Sequence, residues 1–218
     1  LVNEDKGFCL VADGIGGAAA GDVASQLFAR TAQEVFSMKQ NTDNMESERV
    51  QKTFQMANDR ILKHVENNPA CQGMGCTAEL LALSDNRFVL GHMGDSRAYR
   101  LRNGNLKQLT TDHSLVQEQL AQGLITKEEA ANHAFKNVIL RAVGIKENPS
   151  LDILSGNTFS GDFFLLCSDG LTDMIEDSLI KKHLDSRTDI KEKVDNLIQE
   201  ANANGGKDNI SVVLAEIL

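Results

Sequence analysis

The sequence predicts an α+β fold in which helices pack on sheets. Three observations carry that reading. Strands group with strands along the chain: one strand, two helices, a strand meander, a helical insertion, two strands, two helices and a closing strand. The apolar period changes with them, from helical steps to short strand-like runs. The regular strand–helix alternation of a doubly wound parallel sheet is missing.

The elements follow in order. Residues 7–13 read as a buried strand, apolar and ended by Gly14. From 21 to 38, Val23, Leu27, Thr31, Val35 and Met38 recur at helical spacing. A polar gap, KQNTDNMES, precedes a second helix in which Val50, Phe54, Ala57, Ile61 and Val65 step by 4, 3, 4 and 4. Pro69 and Gly73 mark its exit. CTAELLALS, RFVLGHM and SRAYRLR are strand-like runs divided by DN and GD turns, and RNGN leads into LKQL as a hairpin. The polar stretch TTDHSLVQEQLAQGLITKEEAANHAFKN is helix-prone, with Asp112 placed to cap a helix over 115–120. Strands are expected at 151–154 and 162–168, helices near 175–184 and 190–203, and NISVVLAEIL closes the chain as a strand. No repeat, low-complexity block or linker divides the 218 residues, so one domain is expected.

Composition narrows the function. With 22 Lys and Arg against 31 Asp and Glu, the net charge of −9 argues against nucleic-acid binding, which needs clustered cations for phosphates. An acidic chain can still handle phosphate if a metal supplies the positive charge. No apolar run reaches the roughly 20 residues that span a bilayer. No leader is recognisable, and the chain begins on Leu1 rather than methionine, as a processed or truncated chain would. Of four cysteines, Cys9 and Cys167 sit inside apolar runs, and Cys71 and Cys76 have no partners for zinc. A reducing, cytoplasmic setting is expected.

Four acids share one context. Asp13 ends the first strand in VADGIGG, Asp95 follows LGHMG, Asp169 follows FFLLCS, and Asp208 stands just before the last strand in GGKDNISVVL. Asp beside Gly is ordinarily a turn signal, and any single one of these is explained that way. Four, each flanking a buried strand, point further. Brought together without compensation they would repel one another and some would protonate. A hard divalent cation, Mg²⁺ or Mn²⁺, removes the conflict because it takes oxygen ligands and keeps water. Gly14 would let a backbone carbonyl approach the ion.

Other chemistries fit less well. DGIGG lacks the lysine and Ser/Thr of a P-loop and the spacing of a dinucleotide fingerprint. Ser96 in GDSR has no nucleophile elbow. The five histidines form no H-x-x-x-H pair; His133 reads as a surface residue with some chance of touching substrate, and His64 as a solvated helix residue.

VADGIGG with AGDVAS, GMGCTAELLAL, HMGDSRAYRLR, LTTDHSLVQEQL, LLCSDGLTD and GGKDNISVVL together resemble, in order, the motifs of the metal-dependent protein phosphatases, the type 2C Ser/Thr family, in its compact bacterial branch. The resemblance runs from Gly7 to the end. It implies a four-layer α-β-β-α sandwich with two central antiparallel sheets, and two to three Mn²⁺ or Mg²⁺ ions. Asp13 would bridge two ions, Gly14 would offer its carbonyl, Asp169 and Asp208 would complete one ligand set, and Asp95 would share a third ion with Asp169. Through a metal-activated water Asp13, Asp169 and Asp208 would serve hydrolysis of phosphoserine and phosphothreonine in the protein substrates of a Ser/Thr kinase. The implied enzyme is a monomer. Ile15 stands where some members carry a general-acid histidine. Residues from about 114 to 136 correspond to a flap that influences substrate choice, although HAFKN departs from the more usual HPQRN.

A second departure concerns the start. The family has an upstream strand with a phosphate-binding Arg and an acidic motif. Asn3–Asp5 spells NED, but only seven residues separate Asp5 from Asp13, too few for a strand, a reversal and a return. VNEDKGF therefore reads as a hairpin turn, with Gly7 suited to positive φ. No Arg precedes Arg30, so the first strand and its Arg are expected to be missing. That expectation leaves a catalytically impaired regulatory or binding module as the alternative, and a phosphatase of small metabolites as a weaker one.

Overall fold

The computed structural model describes residues 1–38 and 45–218. The strands are β1 (Val2–Asn3), β2 (Phe8–Val11), β3 (Gly14–Ile15), β4 (Gly75–Cys76), β5 (Ala78–Ser84), β6 (Arg87–Met93), β7 (Arg97–Arg102), β8 (Asn105–Gln108), β9 (Asp152–Asn157), β10 (Phe163–Cys167) and β11 (Val212–Glu216). The helices are α1 (Ala18–Ser37), α2 (Met45–Asn67), α3 (Leu115–Ala121), α4 (Lys127–Ala131), α5 (Asp169–Thr172), α6 (Asp177–Leu184) and α7 (Ile190–Ala203).

Two antiparallel sheets form the centre, in the orders β1-β2-β5-β6-β9 and β11-β10-β7-β8, with β3 and β4 as a small separate pair. Strand periodicity explains the layers. In β2, Phe8 and Leu10 face α1 and α2, while Cys9 and Val11 face the other sheet. In β10, Leu165 and Cys167 face α6 and α7, while Phe164 and Leu166 point between the sheets. Both faces of these strands are covered, so they read as continuous apolar runs rather than alternating ones. The result is the expected α-β-β-α sandwich.

Several elements differ from the sequence reading in detail. The buried stripe of α1 is Ala24, Phe28, Thr31, Ala32, Val35 and Phe36, so Thr31 and Val35 stand as expected, while Val23 and Leu27 lie at its margin and Met38 stands exposed at the helix end. The two large phenylalanines set the helix phase; Phe28 packs edge-on against Phe54 of α2 with centroids 4.9 Å apart. Met45, Glu46 and Ser47 already belong to α2, and the rest of the expected polar gap, 39–44, lies outside the described residues. Ser114, not Asp112, caps α3, accepting from the Gln117 amide at 3.2 Å. Asp112 is two residues too early and is held elsewhere. VNEDKGF is a turn: Glu4–Lys6 form a 3-10 helix, Gly7 has φ of 65°, and β1 pairs back on β2. Two residues of the strand ahead of that turn are thus present. The RNGN hairpin closes with positive φ at both Asn103 (50°) and Gly104 (70°), as a type I′ turn requires.

One apparent turn is something else. GD between β6 and β7 does not close a hairpin, because β6 lies in the first sheet and β7 in the second. The chain crosses between sheets there, which puts Asp95 at the rim of the sandwich.

Candidate metal centre

Register brings the acids to one edge. Val11 pairs with Glu79, and Ala78 with Met93, so the end of β2, the start of β5 and the end of β6 share one end of the first sheet. Cys167 pairs with both Arg97 and Val212, so the start of β7, the end of β10 and the start of β11 share the matching end of the second. Asp13, Asp95, Asp169 and Asp208 are the residues just beyond those ends.

Small polar side chains and glycines tie these ends together. The Asp13 amide donates to Thr77 Oγ1 at 3.1 Å, the Thr77 amide donates to the Asp13 carbonyl at 2.8 Å, and Thr77 Oγ1 lies 2.7 Å from Ser96 Oγ. Buried Thr77 thus fastens the Asp13 turn to the Asp95 crossover. Gly94 has φ of 118° and sits so close that an added Cβ would lie 2.5 Å from Thr77 Cβ. Across the cleft, Ser168 Oγ donates to the Asn209 carbonyl at 3.1 Å and accepts from the Ser211 amide at 3.0 Å, docking the Asp169 turn on the Asp208 loop. Gly14 has a packing reason as well: a Cβ there would meet the Gly21 carbonyl at 2.3 Å, where β3 runs against the start of α1.

The electrostatics are those of an uncompensated cluster. Burial, then the charges of Asp169 and Asp208, push Asp13 up to about 6. Burial, then Asp169 and Asp112, push Asp95 up to about 7. Asp169 is raised by burial, then by Asp173 and Asp208, with Lys136 opposing. Asp208 is exposed at the rim, its Oδ1 accepting from the Asn209 amide at 2.7 Å.

Beside the acids lies a cleft of about 510 Å³ between the sheet edge and residues of α3 and α4. Its walls include Asp95, Asp169 and Asp173 on one side and Lys127 and Lys136 on the other. Lys136 pairs with Asp173, one helical turn beyond Asp169. Arg97 holds Asp112 through Nε at 2.9 Å and Nη2 at 2.7 Å, so that arginine is committed. Larger hollows of about 620 and 820 Å³ lie on the other side of α3 and at the opposite end of β10. His133 is half-exposed and outside the acid cleft, close to Phe135, and His64 is half-exposed on α2. Ile15 is half-buried in β3.

Does this donor set suit a hard cation? Among the described residues, no three His, Cys, Asp or Glu side chains are arranged to hold an ion by themselves. Mg²⁺ and Mn²⁺ do not demand that, since they are bound through few carboxylates and keep several waters. The other observations fit. All donors are oxygens, Asp169 Oδ1 is buried with no hydrogen-bond partner, and burial and neighbouring acids raise Asp13, Asp95 and Asp169. A divalent ion would answer all three. Sequence reasoning missed Thr77, Asp173 and the Arg97–Asp112 pair; Thr77 and Asp173 stand inside quoted motifs, but their contacts span 19 to 64 positions along the chain.

Comparison with known proteins agrees. The family profile described as Protein phosphatase 2C matches residues 1–215. "Serine/threonine phosphatase stp" of Listeria innocua is 40% identical over 219 residues, covering 98% of this chain and 86% of that protein. The crystal structure of the Mycobacterium tuberculosis serine/threonine phosphatase PstP/Ppp superposes with a TM-score of 0.90 at 36% identity, covering 96% of this chain and 88% of that one. A structure of the PstP catalytic domain in complex with two manganese ions matches with a TM-score of 0.87 at 36% identity, over 96% of this chain and 86% of that one. Motif order, sandwich architecture and acid edge converge with these matches, and the chain belongs to the protein phosphatase 2C family.

Proposed function

We propose that the chain hydrolyses phosphoserine and phosphothreonine in proteins, using Mn²⁺ or Mg²⁺ held by Asp13, the Gly14 carbonyl, Asp169 and Asp208, with a further ion shared by Asp95 and Asp169. The observation that carries this is the sheet edge where four strand-end acids gather, with Asp13 raised by burial and by the charges of Asp169 and Asp208. Bound cations lower the pKa of water and offset charge on the transferring phosphoryl group. The chain's own residues do the rest. Asp13 and Asp169 present oxygens, Thr77 and Ser96 hold the turns that aim them, and Ser168 fixes the Asp208 loop.

Thiol nucleophiles play no part in this scheme. Burial pushes Cys9 up to about 12 and raises Cys76 and Cys167 as well. Residues 114–136 act as the flap over the cleft, with Lys127 and Lys136 facing the acids. All four cysteines are free, in keeping with a reducing cytoplasm, and among the described residues no helix is long and apolar enough to cross a membrane.

The test is direct. Asp13→Ala and Asp169→Ala are each expected to abolish Mn²⁺-dependent hydrolysis of a small aryl phosphate. Full activity in either variant removes the basis of the proposal. Tight Mn²⁺ binding by the unmodified chain without turnover would instead favour a binding module.

A further inference from the structure

Behind the acid edge lies a chain of polar groups that no metal ligation requires. Glu79 and His92 are fully buried, 0% exposed on both sides, and paired through His92 Nδ1. His92 Nε2 lies 2.8 Å from the Thr111 carbonyl. The Thr111 carbonyl takes a proton from Nε2, and a second proton is shared between Nδ1 and the Glu79 carboxyl, which burial pushes up to about 7. The His113 ring stacks on it with centroids 4.3 Å apart.

His113 stands at a junction. Its backbone amide donates to the Gly94 carbonyl at 2.7 Å, and its Nδ1 accepts from the Gly94 amide at 3.1 Å. Gly94 immediately precedes Asp95. An amide can only donate, so Nδ1 is bare and the proton is on Nε2. Burial and the charge on His92 lower His113 to about 4, which keeps it in that neutral form. Nε2 then donates to Asp152 Oδ2 at 3.2 Å; Arg141 Nη1 lies 3.2 Å from the same Nε2 and donates to Asp152 Oδ1 at 3.0 Å, so Asp152 and Arg141 meet the ring together. The His113 carbonyl accepts from the Leu140 amide at 2.7 Å, and Ser114 bridges Ile139. Residues 113–114 enter the flap segment and 139–141 leave it. One ring therefore touches the Asp95 crossover through Nδ1 and the flap's neck through Nε2.

We propose that His113 is a positioning residue that couples the seat of the flap to the Asp95 carboxylate. The coupling builds on the assignment of Asp95 to a cation. Its Nδ1 arm fixes the turn that aims Asp95, and its Nε2 arm fixes the neck that sets the width of the cleft. Partners one shell out from a metal ligand typically cost about 10-fold or more in metal affinity or activity when removed.

The two arms can be cut separately. Asparagine reaches as far as Nδ1 and can still accept from the Gly94 amide; glutamine reaches as far as Nε2 and can still donate to Asp152. His113→Gln is expected to raise the Mn²⁺ concentration for half-maximal aryl phosphate hydrolysis by about 10-fold, with phosphopeptide KM less affected. His113→Asn is expected to show the reverse split. Asp152→Asn, on a half-exposed side chain, loosens the neck without disturbing the buried ring and should follow His113→Asn. Equal losses in both parameters for all three variants would mean a merely structural residue and overturn the proposal. Asp95→Asn run alongside separates the two kinds of failure. A shifted Mn²⁺ response in Asp95→Asn but not in His113→Gln overturns the coupling, and an unshifted response in both overturns the Asp95 assignment beneath it.

Discussion

Consider Asp13→Asn in protein stripped of metal by a chelator. The side chain keeps its shape and loses its charge, so the variant reports the repulsion that the acids impose on one another. Burial and neighbouring charges carry the Asp13 carboxyl from 3.8 to about 6. At 1.36 kcal/mol per pKa unit that is a ceiling of about 3 kcal/mol against the ionised form at neutral pH. Asp13 is only half-buried, and solvent screening reduces the figure to about 1–2 kcal/mol. The sign follows from linkage. A carboxyl raised on folding contributes stability below its ordinary value, lost as pH rises through the folded value, so metal-free protein should weaken between about pH 4 and pH 7.

At neutral pH the variant is therefore expected to melt about 2–8 °C above the unmodified metal-free chain, using the roughly 2–4 °C per kcal/mol of a protein this size. Saturating Mn²⁺ should reverse the order, since a ligand at 100 times its Kd adds about 2.7 kcal/mol to the protein that binds it. Differential scanning calorimetry in four arms, both proteins with and without Mn²⁺, reads all of this. A variant no more stable than its parent without metal, or equally stabilised by Mn²⁺, refutes the reasoning.

Other outcomes follow from the same contacts. Thr77→Val removes the hydroxyl between the Asp13 amide and Ser96; it should cost about 1–3 kcal/mol in urea unfolding and weaken Mn²⁺ activation. Glu79→Ala leaves His92 Nδ1 buried without its partner and should cost about 1–3 kcal/mol, measured the same way. Lys136→Ala breaks an exposed pair worth about 0–1 kcal/mol, so its Tm should barely move while phosphopeptide KM rises.

Much of this architecture was legible because local patterns and tertiary packing agreed. The stripe of α2 and the bounds of α7 follow from helical spacing alone, and β2 and β10 are apolar on both faces because helices cover one side and a sheet the other. The acids were legible because each stands at a strand end beside or near a glycine. What escaped depends on distant partners. Asp112 looks like a cap until Arg97, 15 residues away, claims it. His113 is one histidine among five until Gly94 and Asp152 meet at its ring. On α1 Thr31 and Val35 were legible, but Phe28 and Phe36 were not, because alanines between phenylalanines give a weak periodic signal.

The central claim is that strand-end acids from two sheets gather around divalent ions. Crystals grown with Mn²⁺ and measured at its absorption edge test it most directly. The expected result is anomalous density within coordination distance of Asp13 and Asp169, with Asp208 drawn in from the rim. Density absent from that edge, with the three carboxylates turned away from one another, would contradict it.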